Sequence, residues 1–376
     1  MQSLFSNALS GAVSKHIALS PTRRETLAWL TLLIMRQGTI CLWRLAAHVA
    51  CAARTASVRR RFYRFFQFVR LDGAMTARII VDLLGLAGKP WVLAIDRTNW
   101  EFGKTSINIL MLCVEWNGVG IPLLWTLLPS AGNSSTTTRT CLLDRLRQTF
   151  PDLKIAALTG DREFIGSAWM AWLAREKIPF ILRLRENQHV AREGYAPCTI
   201  AEIARPLKPG EKMTVKGLCR LGQSEGQDSE GRAPCVRLVI LRLASGELLA
   251  LASSSSPRHA LARYRARWRI ETLFGNLKTR GFNLEDTHLA DPAKLATLLA
   301  LLALAVALSV KTGMAAERLQ PAAVKAHGRR AWSLFANGLA ALRKTFAAAS
   351  QAQVFVFLEN LLSPKPPFKL LKSMVI

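Results

Sequence analysis

The sequence lacks the cysteine and histidine patterns that bind zinc. Its seven cysteines are scattered and odd in number, with no C-x-x-C pair, and its six histidines form no H-E-x-x-H or H-x3-H motif. A simple zinc ribbon is therefore excluded, and the thiols are expected to be reduced, as in a cytoplasmic protein. Any bound metal is expected to have oxygen ligands.

Acidic residues are scarce as well. The chain has 25 acidic residues against 51 lysines and arginines, which gives a formal net charge of +26 and a pI of about 10.8. Such a charge favours a polyanionic partner, because a polyanion releases its counterions when a basic protein neutralises it. Nucleic acid is the first candidate. A basic surface without a specific partner and an anionic membrane surface are the weaker alternatives.

A secretory signal and a full-length membrane span are also missing. The N-terminal segment MQSLFSNALSGAVSKH has no continuous apolar core. The longest apolar run, LATLLALLALAVALSV at 295–310, is shorter than the roughly 20 residues that a bilayer requires. We therefore predict a helix buried in the core of a soluble, cytoplasmic protein that has no membrane partner.

Residues 1–75 are expected to form a helical DNA-binding domain. Two segments with helical apolar periodicity are followed by SVRRRFYRFFQFVR, a basic and aromatic helix at 57–70. Arginine side chains of this helix are expected to contact DNA phosphates, while its aromatic rings pack inward. A solvated arginine face is the structural alternative. The four arginines concerned are Arg59, Arg60, Arg61 and Arg64.

Residues 88–190 change to alternating strands and helices. The order is three strands, helix, strand, helix, strand, and Asn117-Gly118 is a strong hairpin signal between the second and third strands. This order predicts an α/β fold, a mixed sheet flanked by helices of the ribonuclease-H-like kind. It contains no G-x-G-x-x-G or P-loop motif that would indicate a nucleotide site.

The remaining sequence divides into three parts. Residues 191–255 read as a β-rich insertion with a hairpin tip at GQSEGQDSEGR, and residues 256–312 return to helix as the second part of the core. Residues 313–376 are predicted to be a helical region that ends in the basic tail PKPPFKLLKSMVI.

Three acidic residues are the candidate catalytic groups. Asp96 ends the predicted strand VLAID and Asp161 ends IAALTGD, so both carboxylates can meet at one edge of a sheet. An aspartate in this position is also a common turn or cap residue. Glu271 is the only acid in YRARWRIE, where it could instead form a structural ion pair. Helical spacing predicts Tyr264, Arg267 or Trp268, Glu271 and Lys278 along one face.

The spacing Y-x2-R-x3-E-x6-K, met by Tyr264, Arg267, Glu271 and Lys278, resembles the signature of DDE transposases of the insertion sequence 4 family. Asp96 in AIDRTNW and Asp161 in LTGDREF resemble the family's first two acids. The β-rich insertion between Asp161 and Glu271 and the segment NLEDTHL at 283–289 also resemble parts of that family's sequences.

The resemblance implies an enzyme that cleaves and rejoins DNA at the inverted terminal repeats of an insertion sequence by cut-and-paste transposition. It implies two Mg²⁺ ions, replaceable by Mn²⁺, held by Asp96, Asp161 and Glu271, a site suited to in-line displacement at phosphorus. Arg267 and Lys278 would hold terminal phosphates and Tyr264 the terminal backbone. The partners would be terminal-repeat and target DNA, bound by a homodimer in the bacterial cytoplasm, associated with the nucleoid.

Several alternatives stay open. Trp268 could stack on an unpaired base or pack into the core. A different acid could take the place of Glu271, the candidates being Glu163, Glu285 and Asp286. The protein could also be a catalytically silent DNA-binding regulator of transposition. A structure-specific nuclease is a third possibility, although it would not need the spaced arginine, lysine and tyrosine.

Overall fold

The computed structural model describes residues 18–348 and 361, except for positions 50, 104, 130, 223–233, 327 and 329. Four helices come first: α1 (Pro21–Gln37), α2 (Leu42–Ala47), α3 (Thr55–Phe68) and α4 (Gly73–Leu84). Helix α3 buries one face, on which Val58, Phe62, Phe65 and Phe66 recur at helical spacing. The aromatic residues of this helix therefore split between the core and the surface, where Tyr63 and Phe68 are exposed.

An eight-stranded mixed sheet forms the centre of the molecule. Its strands lie in the order β3-β2-β1-β4-β5-β11-β10-β8. Strands β1, β2 and β3 are antiparallel, and β4 and β5 run parallel to β1. The first five strands with their helices are β1 (Trp91–Phe102), β2 (Thr105–Trp116), β3 (Val119–Leu128), α5 (Thr136–Thr149), β4 (Ile155–Gly160), α6 (Ser167–Arg175) and β5 (Phe180–Leu184).

The prediction of a mixed sheet flanked by helices is confirmed, and this strand order is compatible with a ribonuclease-H-like domain. The hairpin turn at Asn117 and Gly118 is also present. Both residues have positive φ, at 50° and 83°, as a two-residue type I′ turn requires.

The strands expected for the insertion are divided between two sheets. Three of them extend the central sheet beyond β5, and three others form a small separate sheet in the order β7-β6-β9. The hairpin tip predicted at 222–232 lies almost wholly outside the described residues. These later elements are β6 (His189–Arg192), β7 (Tyr195–Thr199), α7 (Ile200–Ile203), β8 (Lys212–Thr214), β9 (Cys219–Leu221), β10 (Arg237–Arg242) and β11 (Leu248–Ser253).

The apolar run at 295–310 lies in a long helix, α10 (Pro292–Leu319), that is long and apolar enough to cross a membrane by length and composition. In this protein every residue from 297 to 313 is buried against the sheet and neighbouring helices. The prediction of a buried core helix is confirmed. Because α10 continues past residue 312, the predicted boundary at that position falls inside a helix.

Helices that follow the last strand in sequence complete the described structure. They are α8 (Ala260–Tyr264), α9 (Trp268–Leu277) and α11 (Leu334–Ala348). Between α10 and α11 the described residues, 320–326, 328 and 330–333, are not helical, although the sequence predicted helix there. The predicted basic tail at 364–376 lies outside the described residues.

Candidate active site

Asp96 and Asp161 lie side by side on neighbouring strands. The parallel pairing of β1 with β4 ends at Ile95 opposite Gly160, so each aspartate follows the last paired residue of its strand. The sequence predicted that strand β1 ends at Asp96, but the strand does not end there. It continues to Phe102 because its other neighbour, β2, extends the antiparallel ladder to that point.

Asp161 begins the 3₁₀ turn Arg162–Phe164, but its side chain accepts no capping hydrogen bond. Its Oδ1 is buried and has no hydrogen-bond partner among the described residues. By contrast, Asp72 and Asp291 accept backbone N–H groups as ordinary helix caps. A buried carboxylate oxygen without a partner is costly, so the capping role does not account for Asp161.

Asp96 is a desolvated carboxylate. Its pKa is raised from the ordinary 3.8 to about 6, chiefly by burial and to a smaller extent by the charges of Glu163 and Asp161; the backbone N–H of Arg97 and the guanidinium of Arg267 act in the opposite direction. Its Oδ1 accepts the Arg97 N–H at 2.8 Å. A carboxylate whose pKa is raised by removal from water is a common feature of functional sites.

Arg267 lies between Asp96 and Glu271. Its Nη1 is 3.4 Å from Asp96 Oδ2 and its Nη2 is 2.6 Å from Glu271 Oε1. The Arg267 side chain is 3% exposed, whereas that of Glu271 is 43% exposed. Glu271 therefore does form an ion pair, with a guanidinium that also contacts Asp96.

A 3₁₀ turn at Arg265–Arg267 separates α8 from α9 and interrupts the predicted continuous helix. Arg267 nevertheless lies over the Tyr264 ring at 5.6 Å and pairs with Glu271. Tyr264 turns inward and is 2% exposed, packed against Ala157, Ile181 and Val239, so it has no surface that DNA could contact. Contact between Tyr264 and the DNA backbone would require this side chain to become exposed, and it stays a prediction.

Trp268 and Lys278 occupy the two ends of α9. Trp268 is 59% exposed and lies beside Arg267, so the alternative of burial in the core does not hold. Lys278 follows the last helical residue, donates to the Asn99 carbonyl oxygen at 3.1 Å and pairs with Glu285 at 2.8 Å. Glu285, one of the alternative acids, is therefore engaged with Lys278.

A close backbone approach positions α9 on the sheet. A Cβ atom added at Gly120 of β3 would lie 2.6 Å from the Arg269 carbonyl oxygen. Only glycine allows this contact. Glu271 is thereby carried by a helix that rests directly on the β2-β3 hairpin.

Sequence reasoning missed Arg97, the residue after Asp96. It forms a two-point ion pair with Glu163, with Nε to Oε1 and Nη2 to Oε2 both at 2.7 Å. Arg97 also donates to Asn133 Oδ1 and to the Gly132 carbonyl oxygen. Since Arg97 lies in β1 and Glu163 is two residues after Asp161, this pair ties β1 to the chain beyond β4. The sequence signal for this ion pair is weak: a charged residue closely follows each of the two aspartates.

The predicted arginines of α3 divide into two groups. Arg61 is engaged within the N-terminal helices, pairing with Glu25 at 2.5 Å, and Arg59 lies against the rings of Trp43 and Tyr63. Arg60 and Arg64 are exposed. Both line a cleft of about 630 Å³ between α1 and α3, together with Arg23 and Phe68.

The aspartate pair suits a hard divalent cation. Asp161 has a buried oxygen without a partner and Asp96 is a desolvated carboxylate, and carboxylate oxygens are the ligands that Mg²⁺ and Mn²⁺ prefer. The arrangement is incomplete, however. Across the described part of the chain, no three acidic, histidine or cysteine side chains are grouped closely enough to hold one ion.

Comparison with known proteins gives one family. The sequence profile described as "Transposase DDE domain" matches residues 87–308, more than half of the chain. The matched region begins just before β1 and ends within α10, so it includes all three candidate acids. No curated protein matches the chain.

Proposed function

Because the chain belongs to the DDE transposase family, we propose that it catalyses metal-dependent DNA cleavage and strand transfer at the inverted terminal repeats of an insertion sequence. The observation that carries this proposal is the pairing of β1 with β4, which brings Asp96 and Asp161 together beside the helix that bears Glu271. The finer assignment to the insertion sequence 4 group, and to cut-and-paste movement, rests on the Tyr264-Arg267-Glu271-Lys278 spacing.

Asp96 and Asp161 would hold the divalent cations, with Glu271 as the third ligand. DDE transposases generally use such ions, and two Mg²⁺ or Mn²⁺ ions would supply activation of the attacking oxygen and stabilisation of the leaving oxygen. Arg97 and Glu163 keep the two aspartates at a fixed separation through their two-point ion pair. Precise placement of this kind is a large part of catalysis at phosphorus.

The remaining residues would bind DNA. Arg267 is a cation beside the carboxylates, and Lys278 lies at the far end of the same helix. Both would hold phosphates of the DNA end, while exposed Trp268 offers a face for a base to stack on. Arg60 and Arg64 would contact the duplex backbone farther from the site. Joining two ends would call for a homodimer, and a reaction on chromosomal DNA would put the enzyme in the cytoplasm at the nucleoid.

The test is metal-dependent cleavage of DNA that carries the repeats flanking the gene. Wild type is compared with the isosteric variants Asp96→Asn, Asp161→Asn and Glu271→Gln, and DNA binding is measured in parallel. We expect cleavage at the repeat boundary in Mg²⁺ or Mn²⁺, lost in all three variants while binding persists.

Glu285→Gln and Asp286→Asn serve as matched controls, because they remove two of the three acids that could take the place of Glu271. The third, Glu163, is not a control, because its ion pair with Arg97 positions the aspartates. Full loss of cleavage in Glu285→Gln with activity retained in Glu271→Gln would reassign the third ligand. Tight binding by folded wild type without cleavage in either metal would contradict the proposal and indicate a catalytically silent regulator.

A further inference from the structure

Arg267 holds a position that bears directly on metal binding. Its guanidinium reaches Asp96 with one terminal nitrogen and Glu271 with the other, at 3.4 and 2.6 Å. The side chain is 3% exposed, so its positive charge is poorly screened by water. One buried cation therefore already pairs with two of the three candidate ligands.

The surroundings of Arg267 leave hydrogen bonds unmade. Three buried polar atoms near it have no partner among the described residues: Arg267 Nε, the Tyr264 hydroxyl and Asp161 Oδ1. Asp161 and Tyr264 both act electrostatically on Arg267. Buried groups without partners are unfavourable, so this arrangement gains if a ligand or a rearrangement satisfies them.

A divalent cation and the Arg267 guanidinium compete for the same carboxylates. A cation bound between Asp96 and Glu271 would lie within a few ångströms of a buried positive charge, where repulsion is strong. Glu271 can move, because its side chain is 43% exposed. It can join Asp96 and Asp161 only when Arg267 releases it.

We propose that Arg267 couples divalent-cation binding to DNA binding, by holding Asp96 and Glu271 until a DNA phosphate takes over its guanidinium. Phosphate is a suitable competitor, because guanidinium binds phosphate with two parallel charge-assisted hydrogen bonds. The exposed Trp268 next to it provides an adjacent contact for the DNA end. The enzyme would then assemble its metal site only on DNA, which limits cleavage by enzyme that is not bound at an end.

This inference rests on the proposed function, and Mn²⁺ affinity tests it without reference to cleavage. Binding of Mn²⁺ to the full chain is measured by electron paramagnetic resonance, with and without a short blunt-ended duplex. Wild type, Arg267→Gln and Arg267→Lys are compared, and the signal of Asp96→Asn on the same duplex is subtracted to remove Mn²⁺ bound by DNA. Circular dichroism establishes that each variant is folded.

We expect the duplex to tighten Mn²⁺ binding by wild type at least about tenfold, the scale on which neighbours of metal ligands change affinity. Arg267→Gln, which removes the charge, should bind Mn²⁺ at least about tenfold more tightly than wild type without DNA and gain little from the duplex. Arg267→Lys keeps the charge and should stay close to wild type without DNA.

Two negative results have different meanings. If Mn²⁺ binding depends on Asp96 but is indifferent both to the duplex and to Arg267→Gln, the coupling is refuted while the metal site stands. If no Mn²⁺ binding depends on Asp96 with or without DNA, the proposed function itself fails. Should Arg267→Gln not fold, the comparison of wild type with and without the duplex decides alone, and equal affinities overturn the inference.

Discussion

Replacing Asp96 with asparagine is expected to stabilise the protein at neutral pH. Burial raises the Asp96 pKa from 3.8 to about 6, so the folded protein binds this proton more tightly than the unfolded chain does. The penalty for ionising Asp96 in the fold is therefore absent below about pH 4 and fully developed above about pH 6, and the shift corresponds to about 3 kcal/mol. Stability contributed by this group is lost as the pH rises through 6.

Asparagine has nearly the same shape, keeps an oxygen that accepts the Arg97 N–H, and carries no charge to bury. Asp96→Asn should therefore raise the free energy of unfolding by up to about 3 kcal/mol near pH 8 and change it little near pH 4. The measurement is urea unfolding followed by circular dichroism, for both proteins, at several values between these limits, with a chelator present throughout.

Glu176→Gln provides a control of opposite sign. Hydrogen bonding to Arg147 lowers the pKa of the partly exposed Glu176 from its ordinary 4.5, so its contribution is fully present above about pH 4.5 and is lost progressively as the pH falls further. Glu176→Gln should destabilise near pH 8, and its effect should shrink as the pH falls through 4. An Asp96→Asn variant that is destabilised at pH 8, or whose effect does not change with pH, would refute the argument that Asp96 carries a buried charge.

Three further predictions concern the geometry of the site. Gly120→Ala should push α9 off the sheet, destabilise the fold by about 1–3 kcal/mol and reduce DNA cleavage at least about tenfold. The control is Gly166→Ala, whose added Cβ meets nothing within 4 Å and which should leave stability and cleavage unchanged. Equal effects of the two variants would contradict the close approach of Gly120 to Arg269. A double-mutant cycle in urea unfolding with Arg97→Ala and Glu163→Gln should give a coupling of about 1–3 kcal/mol; additive effects would show that this pair does not tie the strands. Trp268→Ala should change the free energy of unfolding by less than about 0.5 kcal/mol and weaken binding of terminal-repeat DNA about tenfold in a fluorescence-anisotropy titration; a large loss of stability with unchanged affinity would assign Trp268 to the core.

Local sequence determined the elements of the central sheet and the identity of the family. Apolar runs ending in Asp96 and Asp161, the Asn117-Gly118 turn and the all-apolar 295–310 segment each encode their structure in a few adjacent residues. That is why the order of three strands, helix, strand, helix, strand was predictable. The family could be recognised because its signature consists of residue types at fixed order and spacing along the chain: the acids, and the spaced tyrosine, arginine, glutamate and lysine.

Tertiary structure alone decided how the site is arranged. The end of β1 depends on β2, a neighbour formed by a later segment, so the sequence around Asp96 could not show that the strand continues to Phe102. The bridge from Arg267 to Asp96 joins residues 171 positions apart, and Tyr264 is buried against residues of several strands. Burial and the sum of nearby charges set the Asp96 pKa and the placement of Arg267. Both are properties of the packed protein, which no local pattern contains.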